Sequence, residues 1–392
     1  MTPLILDRNF EAIGLCDEFK SFIWTDRYNK AGDFEIVTSS PIVGTEFAFQ
    51  IGNYVYEKES DRLMIIEGLE LKTNYNKGND FIVTGRSLDS LLQRRIIWGQ
   101  RTLKGNLQDN IEALLNENII NPSDTNRRIP DFIFERSADP KITSLTVDTQ
   151  YTGENLYKAI QSLCDTNAIG FKVTRENNKF VFRLYAGTDR TYDQTENLYV
   201  EFSPRYDNLN ESDYIQTSEK KRNVTLVGGE GEGNERKYFT AGESNANGLE
   251  RYELFTDARG TSSKVTDDEG NQTDLSTEEY NNLLKQKGEE NLAKKENQAT
   301  KKLTGKMNTN QMFILNKDFF LGDIVQVVDQ YHISGTSRII EIIYSQDNKG
   351  INIYPSFDDT LVSTNQTSVY SWVDDDGQWH SIKNNNSSSS TL

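Results

Sequence analysis

Between residues 51 and 83 the apolar positions fall into three short runs parted by polar turns, and a degenerate copy of that pattern returns near the other end of the chain. The first copy begins Ile51-Gly52-Asn53-Tyr54-Val55 and passes Ser60-Asp61. It re-enters an apolar run at Ile65-Ile66-Glu67, turns at Asn76-Lys77-Gly78 and resumes at Phe81-Ile82-Val83. The second begins Leu321-Gly322-Asp323-Ile324-Val325, turns between His332 and Gly335, continues as Ile339-Ile340-Glu341, turns at Asn348-Lys349-Gly350 and resumes at Ile351. Short β-rich runs bounded by turn residues predict three consecutive strands in each copy, with a glycine before Asn or Asp leading the chain in. Two similar β modules in one chain are expected.

Other segments add hairpins and helices. Residues 19–24 and 34–37 predict a strand pair across Asn29-Lys30-Ala31-Gly32. Leu88, Leu91 and Leu92 repeat at helical spacing behind a Ser87 cap, a helix expected to close one side of a small barrel. Leu107, Ile111, Leu114, Leu115 and Ile119 mark an amphipathic helix within 103–120, which Asn121-Pro122-Ser123-Asp124 stops. A second stripe, Leu156, Ile160, Leu163, Cys164 and Ala168, precedes a hairpin of 170–174 with 179–185. Strands are expected at 198–202 and 223–227, with 203–218 a polar loop between them. The strongest local signal is Leu275-Ser276-Thr277-Glu278-Glu279-Tyr280, where Ser276 and Glu279 can cap each other and Leu275 can pack on Tyr280. The helix that follows is expected to reach about Leu303 as a surface or subunit-contact element, with pairs such as Glu290 and Lys294 on its exposed side.

Composition narrows the function classes. The 392 residues carry a formal charge of −17, which argues against general nucleic-acid affinity because phosphate binding needs a basic stripe. Arg94-Arg95, Arg127-Arg128 and Lys220-Lys221-Arg222 are too scattered to supply one. Cys16 and Cys164 make no disulfide framework, and Cys164 reads as a small buried hydrophobe. Neither a secretory leader nor an 18-residue apolar run occurs, so membrane insertion is not expected.

Catalytic chemistry is thin. The run from Gly228 to Glu235 fails as a phosphate loop, since it lacks a Lys-Ser/Thr pair and carries three glutamates. His332 and His380 are the only histidines and belong to no zinc motif, and no Gly-x-Ser-x-Gly elbow occurs. Asp374-Asp375-Asp376 lacks the spacing of a calcium loop. No catalytic, cofactor-binding or metal-binding residue is assigned, and no cofactor is expected. Trp372 and Trp379 keep open the alternative of a carbohydrate-binding module; a hydrolase using unidentified carboxylates is the weaker alternative.

Five stretches, in this order, carry a resemblance: Ile23-Trp24-Thr25-Asp26-Arg27-Tyr28; Ala31-Gly32-Asp33-Phe34-Glu35; Gly52-Asn53-Tyr54-Val55; Thr84-Gly85-Arg86-Ser87-Leu88; and Gly322-Asp323-Ile324-Val325. Over about residues 5–357 the chain resembles the tail-hub proteins of long-tailed bacteriophages, the prophage-tail or Gp37-like siphovirus family. The resemblance implies a β-rich α+β multidomain protein with two tube-like β-barrel domains and an α+β domain between them. The boundaries it suggests are 1–102 for the first barrel, 103–197 for the intermediate domain and 198–360 for the second barrel region, with an inserted loop and helix 276–303. Residues 361–392 form an extension, whose tract Asn384 to Ser390 is expected to be disordered unless a partner orders it.

The implied function is that of a virion tail-tip or baseplate hub, assembled in the bacterial host cytoplasm. It would be a homotrimer that adapts a hexameric tail tube to a threefold tip and lets DNA pass through a channel with an acidic or weakly polar wall. Implied partners are distal tail, tail tube and tape measure proteins, with receptor-binding or fibre proteins attached. Many members continue into a fibre or a peptidoglycan-degrading domain. This sequence stops at Leu392, so neither host recognition nor wall hydrolysis is expected of it.

Overall fold

The computed structural model describes residues 1–39, 48–74, 78–209, 211–266, 272–306, 312–328, 334–359, 361–362, 369–373 and 379–383. The N-terminal part supplies strands β1 (Leu4–Leu6), β2 (Ala12–Leu15), β3 (Ser21–Arg27), β4 (Asp33–Thr38), β5 (Tyr54–Tyr56), β6 (Leu63–Asn74) and β7 (Gly78–Ser87), then a buried 3-10 turn at Leu88–Arg94. Next come β8 (Gln100–Asn106), α1 (Leu107–Leu115), β9 (Phe132–Glu135), the one-turn α2 (Pro140–Thr143), β10 (Thr146–Thr152), α3 (Leu156–Thr166), β11 (Gly170–Glu176) and β12 (Lys179–Tyr185).

The remainder holds β13 (Asp189–Arg190), β14 (Glu201–Phe202), β15 (Glu211–Thr217), β16 (Val224–Gly228), β17 (Tyr238–Gly242), β18 (Glu253–Asp257), β19 (Lys264–Thr266), β20 (Gln272–Asp274) and α4 (Thr277–Leu292). These are followed by β21 (Thr300–Lys306), β22 (Ile324–Val328), β23 (Ser334–Asp347), β24 (Gly350–Asp359), β25 (Leu361–Val362), β26 (Val369–Val373) and β27 (Trp379–Lys383). No helix among the described residues is long and apolar enough to cross a membrane.

Both predicted modules are antiparallel meanders, β5-β6-β7 and β22-β23-β24. They do not close separately. Fifteen strands join in one open sheet whose main path runs β15-β21-β24-β23-β3-β4-β7-β6-β5-β1-β2, and among the described residues no sheet closes into a barrel. The two tube-like barrel domains are therefore not what the chain forms. The reason lies in the pairing: β3 spends its second edge on β23 of the other meander, from Ser21 opposite Asp347 to Arg27 opposite Glu341. One apolar core follows that join, with Phe22, Trp24, Ile36, Met64 and Val83 packed in the same cluster as Phe202, Val325, Ile342, Tyr344 and Phe357.

Residues 100–185 form a layer of helices and small sheets, β8-β10 and β11-β12-β9, over a second core. Asn106 and Asn155 cap α1 and α3 by accepting two backbone N–H bonds each, which satisfies donors a helix start would leave bare. The expected helix over 103–120 begins only at Leu107, because 100–106 pairs with β10. The run 203–218, expected to be loop, contains β15. The capping box at Ser276 and Glu279 is present, yet α4 stops at Leu292 rather than near 303, and 300–306 pairs as β21 with β15 and β24. Glu290 is buried on α4 rather than exposed, and it binds Lys287 and Tyr151 instead of Lys294.

Val55 and Val325 hold matching positions beside the leading glycines and are fully buried. Val55→Asp or Val325→Asp places an unpaired charge in an apolar layer and should cost roughly 3–5 kcal/mol. The check is a drop in the urea midpoint of each variant against Val→Ala at the same site.

Candidate assembly surface

The two meanders correspond bond for bond where they begin. Gly52 and Gly322 have φ of +92° and +98°, a region open to glycine and strained for other residues. The Gly52 N–H donates to the Ile66 carbonyl (2.9 Å) and the Ile66 N–H donates back to Asn53 (2.8 Å); Gly322, Ile339 and Asp323 repeat the exchange at 2.8 and 2.9 Å. The following residue then drops out of the ladder in both copies. Ile66 faces Gly85 and Gly68 faces Thr84, just as Ile339 faces Phe357 and Glu341 faces Ser356, so the same bulge recurs.

The correspondence reaches the flanking strands. β4 lies between β3 and β7, and β21 lies between β15 and β24, so β15 and β21 stand where β3 and β4 stand. Where the first copy turns over residues 28–32, the second carries 218–299. That insertion packs α4 on β17-β16-β18 around Val227, Ala241, Ala258, Tyr280 and Leu284. The glycine run that failed as a phosphate loop serves this packing. Gly229 lies against Tyr280 and Leu284, the Glu230 N–H donates to the Tyr280 hydroxyl (2.7 Å), and Arg236 donates to the Gly228 carbonyl (2.8 Å).

Tyr28 is the meeting point of three regions. Its N–H donates to the Ile340 carbonyl (2.9 Å), and its carbonyl accepts from Phe171 N–H (3.2 Å). Arg338 bridges the Tyr28 hydroxyl (3.2 Å) and the Gly322 carbonyl (2.7 Å). Gly170 and Gly322 lie so close that a Cβ on either would collide with the Tyr28 ring. Beside it sits a buried ionic cluster. Arg62 donates to Asp89 (2.8 Å), to the Arg27 carbonyl (3.2 Å) and to the Tyr185 hydroxyl (3.3 Å), while Asp89 also accepts from Ser87 and from Val173 N–H, both at 2.6 Å. Asp26 accepts from Trp24 Nε1 (2.9 Å) and Ser60 Oγ (2.7 Å). Burial pushes the Asp26 carboxyl up to about 6, against the pull of Arg62 and its hydrogen bonds.

Among the strand edges that lack a ladder partner in the described residues are the far side of β15 and the side of β6 beyond its short pairing with β5. Leu69 and Leu71 on that stretch of β6 are exposed. Elsewhere, a cleft of about 900 Å³ between α3 and α4 is lined by Lys158, Lys287, Lys294, Glu154 and Glu290. Cys16 and Cys164 are both buried, and burial lifts the Cys16 thiol to about 11. Among the described residues no three His, Cys, Asp or Glu side chains converge as metal ligands would. Trp372 and Trp379 lie on the paired strands β26 and β27. His332, Asp374-Asp375-Asp376 and the Asn384–Ser390 tract lie outside the described residues.

The sequence model of the siphovirus ReqiPepy6 Gp37-like protein family matches residues 2–357. No curated protein matches the chain. Among solved structures, the 43 kDa tail protein of prophage MuSo2 from Shewanella oneidensis is similar at a TM-score of 0.53 and 10% identity, over 91% of this chain and 98% of that one. The prophage tail protein gp18 from Listeria monocytogenes EGD-e is similar at a TM-score of 0.50 and 14% identity, over 91% and 94% of the two chains. At these identities the likeness is one of fold.

The Asp26 environment sets a pH dependence. A carboxyl whose folded pKa stands near 6, above its unfolded value, contributes stability that is full below the unfolded pKa and is lost as pH rises through 6. Asp26→Asn should therefore gain on the wild type between pH 4 and pH 7, by on the order of 2 kcal/mol. Urea midpoints across that range measure it. Arg62→Met leaves Asp89 buried without its cation and should cost about 3–5 kcal/mol at pH 7.

Proposed function

The chain belongs to the siphovirus ReqiPepy6 Gp37-like protein family, and we propose that it is the hub of a tail tip, a homotrimer that adapts a sixfold tail tube to a threefold end. Its structural, non-enzymatic role in a phage tail follows from that membership. The observation that carries the hub reading is the duplication: matched glycines, matched bulges and matched flanking hairpins in one chain. Three such chains around an axis offer six similar surfaces, which is what a hexameric neighbour requires.

In this reading the tail tube and distal tail proteins sit above the ring, and the tape measure ends at it. DNA passes through without stable binding. A net charge of −17 suits that role, because a wall poor in basic groups does not trap a phosphate backbone.

Light scattering and particle images of the purified protein, alone and mixed with its tube protein, test the proposal. Threefold rings with six similar lobes are expected. A compact monomer that persists in the presence of tube protein overturns the hub assignment.

A further inference from the structure

The duplication leaves one pairing unmatched. In the second copy, residues 341–347 of β23 take β3 along their outer edge. The equivalent stretch of the first copy, residues 68–74 of β6, pairs with β7 on one side and with no described strand on the other. The equivalent of β3 is β15, and among the described residues β15 has a ladder partner on one side only, β21. Six strands separate β15 from β6 along the sheet path of one chain. The equivalents of these two edges, β3 and β23, pair with each other.

Register follows from the ladders. Gly68 takes the place of Glu341, and Thr84 that of Ser356, through the shared bulge. Thr84 faces Glu35 and Glu35 faces Ile23, whereas Ser356 faces Thr304 and Thr304 faces Asp213, so Asp213 takes the place of Ile23. We infer that β15 of one copy adds antiparallel to the outer edge of β6 of the next, with Thr217 opposite Gly68, Ile215 opposite Glu70, Asp213 opposite Lys72 and Glu211 opposite Asn74. This rests on the hub reading and deepens it by naming the contact between subunits.

Two features of the free chain fit this register. Leu69 and Leu71 alternate along the bare edge and are 39% and 54% exposed, an apolar edge that a monomer would be expected to blunt. Their counterparts on β23 are Ile342 and Tyr344, which are buried where β3 covers them. The same register sets the aspartate position 213 across from Lys72, an opposite-charge pair of the kind that stabilises neighbouring strands. A contact in which one patch meets a different patch repeats head to tail and closes when the rotation returns to its start.

Cysteine pairs test the register in the full chain, since both native cysteines are buried. Glu70→Cys with Ile215→Cys, oxidised mildly after assembly, should give linked dimers and trimers on a non-reducing gel and nothing larger. The yield should exceed that of Lys72→Cys with Ile215→Cys, two residues out of register, by at least about fivefold, as the Cβ spacing across a direct pair and a diagonal one implies. In the wild type, amide exchange at 68–73 and 211–217 should slow on assembly. Rings that form with equal cross-linking in both pairs and unchanged exchange overturn the register while leaving the hub reading intact. A protein that stays monomeric with its tube partner overturns both.

Discussion

The ladder between β3 and β23 is the constraint on which the rest of the molecule depends. It runs without a break from Ser21 opposite Asp347 to Arg27 opposite Glu341, and the Arg27 guanidinium fastens its end to Glu341 at 2.8 Å. Each meander alone would present an apolar face too narrow to enclose a core. Joined through this ladder they bury Trp24, Phe22 and Tyr344 together, side chains each worth roughly 1.5–3 kcal/mol in burial. Tyr28 continues the join past the strand end, with its N–H on Ile340, the residue that the bulge in β23 leaves out of the ladder with β24. The bulge in β23 is thus a socket for the next turn of chain.

The polar cluster beside that join selects one arrangement rather than adding net stability. A buried Arg62–Asp89 pair gains little over an apolar substitute, because desolvating both charges offsets their attraction. What it does is restrict geometry: Arg62 just before β6, Asp89 on the 3-10 turn, Val173 on β11 and Tyr185 on β12 must all be in place for these hydrogen bonds to form. The pair thereby ties the middle layer to the first meander at a fixed angle. On the second meander, Asp323 does similar work by accepting from Thr188 N–H, Phe320 N–H and Arg190. The side chain of Asn53, its counterpart, donates to the Ala48 carbonyl.

Local chemistry made some of this legible and non-local pairing hid the rest. Gly52 and Gly322, the Gly350 hairpin and the Ser276–Glu279 box are decided within a few residues, and each is where the sequence pattern puts it. Strand β15 escapes such reasoning because Glu211-Ser212-Asp213 breaks any apolar alternation; it is a strand through its ladder with β21. Residues 300–303 read as the lysine-rich end of the helix and instead belong to β21 for the same reason, tertiary pairing outweighing propensity. Barrel closure is the furthest from sequence. Whether an end strand returns to its own sheet or joins another depends on partners hundreds of residues away, and periodicity carries no information about that.

The asymmetry between the copies has a structural logic. An insertion at the 28–32 turn would strike Tyr28, which is packed against Gly170 and Gly322 with no room for even a Cβ between. The equivalent turn of the second copy carries no such load, and it accepts residues 218–299. That insertion does not hang free. Its Ser262 N–H donates to Gln150 (2.8 Å), and Lys287 lies over the Tyr151 ring at 3.8 Å. Both contacts fall on β10, in the middle layer. Anchored there, the insertion is held at the turn end of β15, and among the described residues it forms no ladder with that strand's outer edge. A duplicated scaffold can therefore diverge in one copy at the turn that bears no packing, while the edges that repeat in both copies remain as strands.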